Sequence, residues 1–69
     1  MGLSGTDEYW KLKEHAERIY HKKAEANSSS ERDKWVERGH ALADRLREEW
    51  GYNDSAVKDL INWYDLDRS

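Results

Sequence analysis

A chain of 69 residues has room for one small domain, and with no cysteine it has neither disulfides nor a thiolate metal site to staple it, so helix packing or self-association must hold it. Charged residues reach 39%, yet they nearly cancel to a net charge of −3, and an aromatic content of 12% opposes disorder. No apolar run approaches the roughly 18 residues that span a bilayer, and Met1-Gly2-Leu3-Ser4-Gly5 lacks the basic and apolar parts of a leader, so an untargeted cytosolic chain that does not engage membranes is expected.

Residues 1–5 carry no element signal and are expected to be disordered. Thr6 before Asp7 and Glu8 has the form of an N-cap followed by acids at the positive end of a helix dipole, so the first helix is placed over 6–27. Tyr9, Leu12, Ala16 and Ile19 recur at spacings of three and four, giving an apolar stripe that Tyr20 widens and Trp10 flanks. Asp7 with Lys11 and Glu14 with Arg18 stand at the i,i+4 spacing of helical ion pairs. The tract Asn27-Ser28-Ser29-Ser30 supplies hydroxyls that compete for backbone hydrogen bonds and marks the first turn.

The second helix is placed over 30–50. Ser28 with Glu31 and Ser30 with Asp33 are both spaced as capping boxes, and the spacing does not choose between them. Trp35, Gly39, Leu42, Leu46 and Trp50 form its stripe, widened by Val36 and Ala43, and Gly51 is suited to the position just past the helix end. A glycine inside a helix costs about 1 kcal/mol against alanine. Gly39 therefore points to the close approach of a neighbouring element.

The third helix is placed over 53–66, with Asn53 as N-cap and Tyr52 and Val57 as a hydrophobic staple around it. Ala56, Val57, Leu60, Ile61 and Tyr64 make its stripe. Trp63 lies at one side, and Leu66 falls in a last turn expected to be loose because Asp65 and Asp67 oppose the dipole there. Short connections make consecutive helices antiparallel neighbours. The expectation is an all-α fold, a single up-down-up three-helix bundle over 1–69, with Leu12, Ala16, Ile19, Trp35, Gly39, Leu42, Leu46, Val57, Leu60, Ile61 and Tyr64 buried.

Chemistry-bearing patterns are sparse. Leu42-Ala43-Asp44-Arg45-Leu46 and Ser55-Ala56-Val57-Lys58-Asp59-Leu60-Ile61 faintly resemble the halves of a helix-turn-helix, but the second half carries Asp54, Asp59, Asp65 and Asp67 against Lys58 and Arg68, which repels phosphates; no nucleic-acid partner is expected. Glu37 and His40 have the Glu-x-x-His spacing of di-iron bundles, but such a site needs a second copy of the motif. His15 and His21 do not share a helix face, and Glu17 with His21 fits a helical ion pair. The serines sit at caps and termini, away from any histidine. Neither an enzyme nor a cofactor site is expected. The sequons at Asn27 and Asn53 read as turn chemistry, and the myristoylation-like Met1-Gly2 with Thr6 lacks the polybasic second anchor.

Protein interaction is the remaining activity to weigh. Eight Trp and Tyr residues are many for three short helices, and Trp10, Tyr20 and Trp63 lie off the centres of their stripes, which makes them the candidate interaction surface. Trp at a stripe edge also serves to cover the core of a small bundle. The chain has no proline, phenylalanine or cysteine and only the initiator methionine, a restricted alphabet favoured in design practice. On that alphabet, and on the agreement of caps, periodicity and turns, the chain resembles computationally designed helical bundles. Gly39, the Ser28-Ser29-Ser30 run, three histidines and Trp50-Gly51-Tyr52 look borrowed from natural helices, so the resemblance extends to designs assembled from natural pieces. It implies a monomeric scaffold whose role is to fold, with no required partner. The alternatives are a small natural interaction module acting through its exposed aromatics, and, third, helix-turn-helix binding.

Overall fold

The computed structural model describes residues 2–67, and within them the fold is all-α, a three-helix bundle. A 3-10 turn at Leu3–Gly5 precedes α1 (Glu8–Glu25), α2 (Ser29–Trp50) and α3 (Ser55–Trp63). The molecule measures 40 × 18 × 15 Å. At a 1.5 Å rise per residue α2 is about 33 Å long and α3 about 13 Å, so the third helix covers less than half of the α1–α2 hairpin. Leu3 and Asp54 meet at one end, and Glu17 and Lys23 of α1 reach Tyr64 and Asp65 beyond the far end of α3. Helix α3 therefore runs parallel to α1 and antiparallel to α2, the up-down-up order. No helix among the described residues is long and apolar enough to cross a membrane.

The helix ends show which local signals win. Ser28 caps α2, its hydroxyl accepting from the Glu31 N–H at 3.3 Å, so the first of the two capping-box spacings is the one used. Gly51 follows α2 at φ +97°, a conformation that glycine adopts without a steric penalty. Two expected caps are corrected. The Thr6 hydroxyl turns back and donates to the Leu3 carbonyl at 2.8 Å, and α1 begins two residues later without a side-chain cap. Asp54, not Asn53, caps α3, because a carboxylate there accepts from both Ala56 and Val57 N–H, at 2.9 and 3.1 Å.

Asp54 also corrects the reading of residues 1–5 as disordered. Its second oxygen accepts from the Leu3 N–H at 2.9 Å, and the Leu3 side chain is fully buried. Met1 lies outside the described residues. The last turn is corrected as well: α3 ends at Trp63, but the chain does not fray there. Asp65 takes a left-handed conformation at φ +49°, and the Leu66 N–H donates to the Ile61 carbonyl at 3.0 Å, the six-to-one bond of a Schellman ending. That turn drives Leu66 into the core, 1% exposed.

The core consists of Leu3, Leu12, Ala16, Ile19, Leu42, Ala43, Leu46, Ala56, Val57, Leu60, Ile61 and Leu66, with no polar or charged residue buried among those described. Trp35 and Tyr64, expected inside, are half-buried at its edge beside Tyr9 and Trp50. A Cβ on Gly39 would stand 2.9 Å from the Leu66 carbonyl oxygen and 3.6 Å from Ile19 Cγ2. The mid-helix glycine thus admits the chain that follows α3.

Candidate interaction surface

The three aromatics singled out from sequence are exposed, Trp10 to 66%, Trp63 to 54% and Tyr20 to 38%. Tyr52, assigned above to a hydrophobic staple, is the most exposed of all at 71%. Its place in the Gly51–Asp54 turn explains this: with Asp54 rather than Asn53 as cap, the ring leaves the helix face and lies near Arg47, whose guanidinium carbon is 5.9 Å from the ring centre.

These rings do not form one patch. Trp10 and Tyr20 are ten positions apart on α1, about 15 Å along its axis. Trp10 packs edge-on against Tyr9 at 5.2 Å and Tyr20 against Tyr64 at 6.1 Å, while no ring contact among the described residues joins Trp10, Tyr20, Tyr52 or Trp63 to one another. Tyr20 extends the core edge towards α3, whereas Trp10 and Trp63 stand on separate helices. Sequence spacing alone could separate the first pair; the position of Tyr52 depended on which residue capped α3.

The polar connections between elements are few and specific. The Tyr64 hydroxyl donates to Glu17 Oε1 at 2.9 Å, and Lys13 Nζ lies 3.3 Å from the same oxygen. The Tyr64 hydrogen bond, then Lys13, hold the Glu17 carboxyl below its ordinary range; Tyr64 and Glu17 in turn raise the Lys13 ammonium. Desolvation, followed by the hydrogen bond to Glu17, raises the Tyr64 hydroxyl. Asp54 is lowered chiefly by the Leu3 N–H, with further help from Val57 and Ala56. Each is accounted for as a fold-closing contact. Arg47 bridges Asp44 and Asp67 at 3.9 and 3.0 Å.

The expected pairs Asp7–Lys11 and Glu14–Arg18 do not close within 4.0 Å; the i,i+4 pairs that do are Lys13–Glu17 and Arg45–Glu49, both at 3.3 Å. Trp35 has cations on it, with Arg38 4.6 Å and Lys34 5.6 Å from the ring centre. No group of three or more His, Cys, Asp or Glu among the described residues is placed to hold a metal, so Glu37, His40, His15 and His21 do not converge. The indole N–H of Trp50 is sealed from solvent and finds no acceptor. No protein-family model, no curated protein and no solved structure matches the chain.

Proposed function

We propose that the chain is a self-contained helical scaffold of the designed-bundle kind, monomeric and cytosolic, whose role is to hold this shape without a cofactor or an obligatory partner. The observation that carries the reading is the continuity of the core: every element, the 3-10 turn included, contributes to one cluster of twelve apolar residues. Stability is then intrinsic to the single chain. Thermal unfolding of the isolated protein, followed by circular dichroism at two concentrations a hundredfold apart, tests this. A high midpoint independent of concentration is the expected result, because a monomer's stability has no mass-action term.

A second reading, a small natural interaction module, is favoured by the exposure of Trp10 and Trp63, both more than half open to solvent. Large aromatics are the residues from which binding hot spots are built. A midpoint that is low, or that rises with concentration, replaces the scaffold reading with this one.

A further inference from the structure

We infer that the face of the α1–α2 hairpin opposite α3 is a docking groove for an acidic amphipathic helix of about three turns, seated as the fourth helix of the bundle. The inference starts from charge placement. Lys11, His15, Arg18 and Lys22 follow one another at i, i+4, i+7 and i+11, a single stripe on α1, and Lys34, Arg38 and Arg45 do the same on α2. All seven are exposed. Six of the chain's twelve Lys and Arg thus stand in two rows, although the chain as a whole carries −3.

The rows flank a concavity. His15 from α1 and Arg38, Ala41, Leu42 and Arg45 from α2 line a groove of about 320 Å³. Its floor is apolar and Arg38 and Arg45 form its α2 rim; on α1 His15 lines it, with Lys11 and Arg18 about one turn to either side in an adjoining hollow that Glu14, Glu17 and His21 share. The chain beyond α3 turns away from it: Tyr64, Asp65 and Asp67 engage Glu17, Lys23 and Arg47, none of which lines the groove. Five of the cations, Lys11, Arg18, Lys22, Lys34 and Arg38, have no carboxylate within 4.0 Å among the described residues; Arg45 alone is paired, with Glu49. By the same helical spacing Glu8 and Glu25 end the α1 row and Glu31 and Glu48 end the α2 row, while Glu14 lies at the outer edge of the first and Glu37 at that of the second. The positive stretch is bounded at both ends.

This arrangement selects its occupant. Neighbouring helices pack about 8–10 Å apart, so two rims with an apolar floor between them match a helix with an apolar seam and acids on both flanks. Eleven positions from Lys11 to Lys22 make about 16 Å, or three turns. A phosphate backbone offers no seam for Ala41 and Leu42. Opposed charge on the flanks steers such a partner in and fixes its register.

The test uses the intact chain and a dye-labelled synthetic helical peptide, a leucine and alanine seam flanked by glutamates, with binding read by fluorescence anisotropy. Saturable binding that weakens with added salt is expected, together with amide shifts in nuclear magnetic resonance spectra confined to His15, Arg38, Ala41 and their neighbours. Lys11→Glu, Arg18→Glu and Arg38→Glu combined should weaken binding by about tenfold or more, with unfolding by circular dichroism confirming that the variant folds. Lys58→Glu, on α3, should leave binding unchanged. Affinity weaker than about 1 mM, equal binding of a peptide with lysines in place of glutamates, or an unchanged affinity in the triple variant overturns the inference. Tighter binding of a short DNA duplex, lost in that variant, overturns it in favour of a nucleic-acid surface.

Discussion

Replacing Gly39 with alanine separates two opposing effects of known size. Helix propensity alone favours the alanine by about 1 kcal/mol. The added methyl, however, would stand 2.9 Å from the backbone carbonyl oxygen of Leu66 and 3.5 Å from its Cα, so the C-terminal turn rather than a flexible side chain must move. Forcing extra volume into a packed site costs about 1–3 kcal/mol. The expected sum is a net loss of about 1 kcal/mol, a drop of about 4–8 °C in midpoint for a domain of this size. Thermal and guanidinium unfolding of Gly39→Ala measure it. In a chain that stops after Tyr64 the obstructing carbonyl is gone, and the same substitution should stabilise by about 1 kcal/mol, giving a coupling of about 2 kcal/mol between the two changes. A gain in stability from Gly39→Ala in the full chain would refute the reasoning, since it would mean that the segment after α3 does not press on the glycine.

Leu3→Ala should cost about 2–5 kcal/mol, the range for emptying a buried leucine site; a loss under about 0.5 kcal/mol in chemical denaturation, the usual scale of an exposed site, would return residues 2–5 to disorder. Because the folded-state pKa of Asp54 lies below its ordinary value of 3.8, its contribution is fully present above the unfolded value and is lost as pH falls through the folded one. Stability should therefore decline between about pH 5 and pH 2, and Asp54→Asn should flatten that decline in urea titrations across the interval; an unchanged slope would contradict the assignment. Trp50→Phe removes an indole N–H that is buried without an acceptor, a defect of about 1–3 kcal/mol that offsets the lost ring area. Its unfolding free energy should stay within about 1 kcal/mol of the parent, and a loss above about 3 kcal/mol would show that the N–H is bonded.

Helix number, order and the stripes on α1 and α2 were legible because their apolar residues recur at helical spacing and each turn is marked by its own chemistry. Ser28 was one of two equivalent capping boxes, and only the chain path chose it. The errors lie where a distant residue decides a local matter. Leu3 has no periodic neighbours, and nothing nearby in sequence announces that Asp54 will hold its backbone. Two aspartates near the negative end of the helix dipole point to fraying around Leu66, yet one of them, Asp65, adopts the left-handed conformation that folds Leu66 inward. Gly39, by contrast, broke a local rule and thereby announced the contact that Leu66 fulfils. Of the candidate surface, the exposure of Trp10, Tyr20 and Trp63 was readable from their places on the stripes; their dispersal, and the exposure of Tyr52, followed from helix lengths and cap choice.

The bond from Leu3 to Asp54 joins positions 51 residues apart, which gives it a kinetic role distinct from its contribution to equilibrium stability. Closing so long a loop is entropically unfavourable until the intervening helices have docked, whereas the α1–α2 hairpin can assemble from local contacts. The clasp is therefore expected to form after the rate-limiting step of folding. Interactions absent from the transition state leave the folding rate unchanged and act on the reverse reaction. Emptying the apolar anchor of this clasp by Leu3→Ala, which leaves the Asp54 cap on α3 in place, should speed unfolding in stopped-flow measurements while the refolding arm of the chevron stays in place, so that the N-terminal residues act as a latch on the lifetime of the native state.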